Sequence, residues 1–200
     1  MFLADVDIKK AIDKGEIIIS DFDPGRLQPA SYDILLGNTF LVTDAHTTSF
    51  IDPVMKVFSK TYEVHVPDDG TFVLHPGVSI IGYSRDYFGS EKYLVEMNGK
   101  SSLARIGLLV HNSASLINPG HFLNVALELC NLNSVPIILH PGMPIAQLTF
   151  STLSSEPKKE YQKNGRYAKD NKKGYVAPLR RGTTRTKRGS VRKGPLEADN

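Results

Sequence analysis

The sequence predicts an all-β domain, on three observations. Short runs of β-branched and aromatic residues alternate with turns built on 16 Gly and 12 Pro among 200 residues. A strand–turn–strand unit occurs twice, as TFVLHPGVSIIGY from Thr71 and as PIILHPGMPIAQLTF from Pro136. Helical periodicity is confined to one stretch near the start of the chain. Many short strands joined by turns pack as a sandwich or barrel of stacked hairpins, and two copies of a unit are too few for a solenoid.

Taken in order, the spacing of Val6, Ala11 and Ile12 predicts a short helix over 5–14, stopped by Gly15. Ile17-Ile18-Ile19 predicts a short buried strand over 16–20, and Pro24, Gly25 and Pro29 make 22–29 a loop. Strands are expected over 31–36 and 39–42, around a hairpin-like turn at Gly37-Asn38, and again over 50–57 and 62–66. Pro67-Asp68-Asp69-Gly70 is a turn that leads into the first repeat unit. An apolar strand over 107–111, a turn at Asn118-Pro119-Gly120 and a strand over 124–130 precede the second unit. The domain is expected to span 1–178. Residues 179–200, with RRGTTRTKRGSVRKG and almost no large apolar side chain, are expected to be a disordered basic tail.

Composition narrows the function. Hydrophobic content of 40% and charged content of 22% suit a globular domain with a real core, and no apolar run is long enough to span a bilayer. MFLADVDIKK lacks a basic region followed by an apolar stretch, so no signal peptide is expected. One cysteine, Cys130, excludes an internal disulfide and any multi-cysteine zinc cage, and a cytoplasmic protein is the simplest expectation. The net charge of +3 is uneven: residues 157–200 hold 14 Lys/Arg against 4 Asp/Glu, while the first 156 carry −7. Such a tail would hold polyanions weakly, without sequence specificity and with strong salt dependence, so nucleic acid is not the expected partner.

The chemistry concentrates between Asn98 and Phe150. In VALELC, alternation puts Val125, Leu127 and Leu129 on one face and Ala126, Glu128 and Cys130 on the other. A carboxylate between two small neighbours on a half-buried strand leaves room for a ligand and can shuttle protons. An ion pair with Arg105 is the structural alternative. Lys100-Ser101-Ser102 places two hydroxyls, two backbone N–H groups and a cation at the start of a helical turn, a pattern that suits phosphate or an ordinary serine cap. The His-x-Glu and Pro-Cys-x-x-Cys patterns of zinc deaminases are missing from the sequence. His46, His65, His75, His111 and His140 are scattered without ligand spacing and are expected to be structural.

GKSSLARIGLLVH, INPG, LEL and PIILHPGMPIAQLTF, together with MFLADVDIKKAIDKGEIII and QPASYDILLGNTF, resemble the dCTP deaminase family of the trimeric dUTPase superfamily, over about residues 1–175. The resemblance implies a distorted β-barrel or jelly-roll with short helices, assembled as a homotrimer with active sites at subunit interfaces. It implies Glu128 as base and then acid, Ser101 and the Ala114 carbonyl holding the attacking water, and Arg105 assisting. Lys100, Ser102, Leu103, Ala104, Asn118, His121, Ala126, Leu127, Gln147, Tyr161 and Lys169 would bind substrate, with Gln147 equally suited to an outward strand position. The spacing to Lys169 is one residue longer than usual, and Lys172 or Lys173 could serve in its place. The resemblance also implies Mg²⁺ carried on the triphosphate, no zinc, and dTTP as a feedback inhibitor in some relatives.

Three residues depart from the family pattern: Lys100 stands for an arginine, Asn118 for an aspartate, and His121 for a different aromatic. Asn118 can hydrogen-bond a sugar hydroxyl but cannot act as a base, which argues against diphosphate cleavage. The expected reaction is therefore deamination of dCTP to dUTP and ammonia. The alternatives are a bifunctional enzyme giving dUMP and a catalytically silent nucleotide-binding trimer.

Overall fold

The structure, a computed structural model, describes residues 1–165. Its elements are α1 (Asp5–Asp13), β1 (Ile17–Ile19), β2 (Leu27–Gln28), β3 (Ser31–Thr43), β4 (Thr61–His65), β5 (Phe72–Leu74), β6 (Ser79–Ser90), β7 (Leu94–Gly99), α2 (Ser101–Arg105), β8 (Leu108–Leu109), β9 (Leu116–Ile117), β10 (Leu123–Asn131), β11 (Ile137–Leu139), β12 (Pro144–Ser151) and α3 (Tyr161–Asn164). The main sheet runs β8-β10-β6-β3-β12-β7-β9, with β1 added to β6 and both β2 and β4 added to β3. It is antiparallel throughout and curls into a half-barrel, as the all-β expectation required. Register shifts at Leu36/Phe40, Asn124/Ala126 and Pro144/Ala146 bend the strands, as extra residues in a ladder do.

The repeated unit explains the architecture. The first strands of the two copies pair with each other, β5 with β11, with Val73 opposite Ile138. Both His-Pro-Gly turns close alike: Val78 N–H donates to the His75 carbonyl and Met143 N–H to the His140 carbonyl. The second strands, β6 and β12, then flank β3 on either side. Helix α1 carries Asp5 and Asp7 in its first turn and Lys10 in its last, complementing its dipole.

Several local expectations are corrected. In α1 the buried face is Ile8 and Ala11, while Val6 is exposed. Residues 31–43 form one strand rather than a hairpin. Gly37 is there for closeness: a Cβ at this position would lie 2.8 Å from the Tyr83 carbonyl oxygen on β6. Residues 50–57 form no strand but a turn bridged from Asp52 to Val57, whose Asp52 Oδ1 accepts from the Val54 and Met55 N–H groups.

Tyr32, Ile34, Leu36, Phe40, Leu127 and Phe150 are fully enclosed at the centre of the core. A buried ion pair crosses one end of it. Arg26 Nη1 lies 2.8 Å from Asp86 Oδ1, Asp86 Oδ2 accepts from Leu35 N–H, and the guanidinium sits over the Tyr32 ring. No helix among the described residues is long and apolar enough to cross a membrane.

Candidate active site

Strand β10 shows the predicted alternation. Val125, Leu127 and Leu129 are buried, and Ala126, Glu128 and Cys130 are half-buried on the opposite face. Leu127 is enclosed by the core, so any ligand contact it makes is through its main chain. Glu128 lies opposite Ile81 of β6, and its Oε2 accepts a 3.2 Å hydrogen bond from the Asn112 N–H. That bond ties the acid to the turn that carries Ala114, where Ser113 takes a left-handed φ of 68°. The ion pair between Glu128 and Arg105 does not form among the described residues; Arg105 is exposed at the end of α2.

Helix α2 is a single turn. Lys100 precedes it in extended conformation, Ser101, Ser102 and Ala104 are exposed, and Leu103 packs partly on the core. Gly107, at φ +81°, ends it and directs the chain into β8. The loop after β10 anchors this corner: Leu132 N–H donates to the Gly107 carbonyl and Asn133 Nδ2 to the Ile106 carbonyl. Since β8 also pairs with β10, the Lys-Ser-Ser turn and Glu128 are built on one corner of the sheet.

Lys100 does not face solvent alone. Its Nζ lies 2.5 Å from Asp33 Oδ2. Gln147 takes a donor from Ser31 and gives one to the Gly99 carbonyl, at 3.2 and 3.3 Å. His111, two residues past β8, has its Nδ1 buried without a partner among the described residues.

The remaining predicted residues gather at the far end of β10. Asn118 is exposed in the turn after β9, and its carbonyl accepts from His121 N–H. The His121 ring stacks on Tyr161 with centroids 4.2 Å apart, and Gln162 donates to Glu91. Gly89 makes this possible, because a Cβ there would lie 2.5 Å from the Phe122 ring and 2.6 Å from the His121 carbonyl oxygen. Burial pushes the Tyr87 hydroxyl up beside the same Phe122 ring. A hollow of about 520 Å³ lined by Glu91, Lys92, Thr152, Leu153, Ser155, Glu156 and Pro157 adjoins this end, and no predicted site residue lines it. Lys169, Lys172, Lys173 and the basic tail lie outside the described residues.

Sequence reasoning missed Asp33, Gly89 and Asn112. Asp33 did leave a signal, a carboxylate between Tyr32 and Ile34 in an apolar strand. Gly89 and Asn112 act through absent or main-chain atoms and leave none. Among the described residues no three His, Cys, Asp or Glu side chains converge to hold a metal ion.

Fold and site together define a class: a curled antiparallel domain with strand carboxylates, Glu128 and Asp33, at the corner that carries a Lys-Ser-Ser helical turn. The chain belongs to the dCTP deaminase-like family, whose model matches residues 2–153. It is 44% identical over 162 residues to a dCTP deaminase, dUMP-forming, from Tropheryma whipplei (strain Twist), covering 80% of this chain and 83% of that one. A protein of the same description from Corynebacterium jeikeium is 41% identical over 162 residues, covering 80% and 86%, and one from Coprothermobacter proteolyticus is 34% identical over 168, covering 84% and 90%. The fold matches a solved 2'-deoxycytidine 5'-triphosphate deaminase from Agrobacterium tumefaciens with a TM-score of 0.59 at 23% identity, covering 76% of this chain and 48% of that chain.

The relatives' names overturn the expectation that dUTP is the end product. The chemistry of Asn118 stands, since an amide cannot take the proton of an attacking water. One side chain does not decide the product. Another carboxylate or solvent can accept that proton, and Asn118 lies on an exposed turn.

Proposed function

We propose that the protein converts dCTP to dUMP, ammonia and pyrophosphate, consuming two waters. In the first step water adds to C4 of the cytosine ring, Glu128 takes its proton, and the acid returns a proton to the departing amine. Ser101 and the Ala114 carbonyl hold that water, and Arg105 supports the reacting group. In the second step water attacks the α-phosphorus and the α–β phosphoanhydride bond breaks, releasing pyrophosphate. Lys100, Ser102 and Tyr161 receive the triphosphate, and His121 lies against the sugar. Asn118 hydrogen-bonds the 3′-hydroxyl.

The observation that carries this reading is Glu128. It stands between Ala126 and Cys130 on the outer face of β10 and is tied by the Asn112 N–H to the turn that holds Ala114. Mg²⁺ accompanies a triphosphate, and phosphate oxygens supply most of its ligands. Asp33 Oδ1, buried and without a partner among the described residues, suits an acceptor for its waters at that end. A trimer completes each site. The exposed Ile106, Leu132, Val135 and Ile138 support such an interface. A dTTP inhibitor would compete for the triphosphate end, and the single Cys130 agrees with a cytoplasmic setting.

The test is incubation with dCTP and Mg²⁺, with chromatography of nucleotides and separate assays of ammonia and pyrophosphate. Equal yields of ammonia, pyrophosphate and dUMP are expected. Ammonia with accumulating dUTP, or no ammonia at all, refutes the proposal.

A further inference from the structure

Lys100 is the cation that this reading offers to the phosphates, and most of its side chain is buried. What holds it is Asp33, on the central strand β3, through Oδ2. Asp33 faces Gln147 across the β3–β12 ladder, and Gln147 faces Asn98 across the β12–β7 ladder. From that position Gln147 donates to the Gly99 carbonyl while Ser31 donates to Gln147. The two residues before α2 are therefore gripped from one polar patch, Gly99 by its main chain and Lys100 by its side chain.

A buried ion pair is poor evidence for stability, because an apolar pair of similar volume does as well. This one is also incomplete, since Asp33 Oδ1 is buried and takes no donor among the described residues. An ammonium on a four-carbon stem has no preferred direction of its own. Deprived of its carboxylate, a largely buried ammonium would swing out to water on that stem and leave the site.

We propose that Asp33 is a positioning residue for the triphosphate. It aims the Lys100 ammonium at the place where the phosphates arrive, and Gln147 fixes the peptide that carries it. The inference rests on the proposed role of Lys100 and deepens it. Asp33 acts through Lys100 and not by touching the reacting atoms.

The experiment compares wild type, Asp33→Asn, Lys100→Gln and the double variant for dCTP turnover with Mg²⁺ and for binding of inorganic tripolyphosphate in EDTA. Asp33→Asn is expected to raise KM roughly tenfold, about one charge-assisted contact, with kcat changing far less. In the Lys100→Gln background the same change should add nothing. Lys100→Arg, which can fork onto both Asp33 oxygens, should keep KM near wild type and raise Tm, but only while Asp33 is present. Where Asp33→Asn does not fold, Asp33→Glu keeps the charge and displaces it by one methylene; a smaller rise in KM is expected. An unchanged KM in either Asp33 variant overturns the proposal. So does a lower KM, which would make Asp33 only a rival charge, or additive losses, which would mean direct contact. If wild type releases no ammonia, the proposed function falls and the tripolyphosphate arm still judges Asp33: binding that is absent in wild type, or indifferent to Asp33, overturns the inference.

Discussion

Replacing Glu128 by Gln separates chemistry from structure more cleanly than any other single change. Among the described residues the carboxylate takes one hydrogen bond, a 3.2 Å contact from the Asn112 N–H. A glutamine carbonyl can accept the same bond, and the side chain keeps its size between Ala126 and Cys130. The cost to folding should therefore stay within about 1 kcal/mol, the scale of one neutral hydrogen bond. The turn that carries Ala114 stays attached. What is lost is the proton acceptor. General acid–base help is worth about 10²–10⁴ in rate, so ammonia release from saturating dCTP should fall by about that factor while KM moves little. Coupled ammonia detection gives kcat, and urea melts of the two proteins compare stability. A variant that melts as wild type and still deaminates within threefold would show that the acid is not Glu128. One that loses several kcal/mol would show that the side chain is structural, and its lost activity would then carry no mechanistic weight.

Three further outcomes follow from the fold. Arg26→Met leaves Asp86 buried with the Leu35 N–H as its one donor among the described residues, so urea unfolding should show a loss of about 3–5 kcal/mol; a loss below 1 kcal/mol would show that the pair is solvated. Gly89→Ala puts a methyl 2.5 Å from the Phe122 ring and 2.6 Å from main chain at His121. About 1–3 kcal/mol of stability should go, KM for dCTP should rise as His121 shifts, and an unchanged KM would remove His121 from the site. The Lys92 ammonium and then the Tyr93 hydroxyl hold the Glu16 carboxyl below its ordinary value of 4.5. Such a group binds fewer protons folded than unfolded, so its stabilisation is complete above pH 4.5 and disappears as pH falls through the lowered value. Glu16→Gln should melt below wild type at neutral pH and converge with it in acid; a gap that persists in acid refutes the assignment.

What was legible in the sequence is what depends on local pattern. The period-2 alternation at Val125 to Cys130 places Glu128 correctly on the outer face of β10, because one face of an antiparallel strand must bury its side chains. The duplicated His-Pro-Gly unit gives the fold class, since each copy carries its own turn chemistry. What was illegible depends on neighbours distant in sequence. Gly37-Asn38 has the composition of a turn, yet β3 continues through it, because the β6 backbone comes close enough to exclude a side chain. Residues 50–57 have strand composition but no partner strand among the described residues, so Asp52 captures the Val54 and Met55 N–H groups instead.

The site repeats the division. Residues proposed to act by their own chemistry, such as Glu128 and Lys100, are visible as residue types in a pattern. A residue proposed to act by holding another is not, because Asp33 lies 67 positions before Lys100 and is brought beside it only when β12 pairs with both β3 and β7. The error over the product has the same origin. Asn118 taken alone is a side chain that cannot accept a proton, whereas a hydrolytic step can draw on any acceptor near the phosphate. The charge balance at Lys100 is the part of that environment now defined. A mostly buried lysine side chain is committed to a buried carboxylate whose Oδ1 has no partner among the described residues, and on the proposed reading an incoming triphosphate shares that ammonium rather than finding it free.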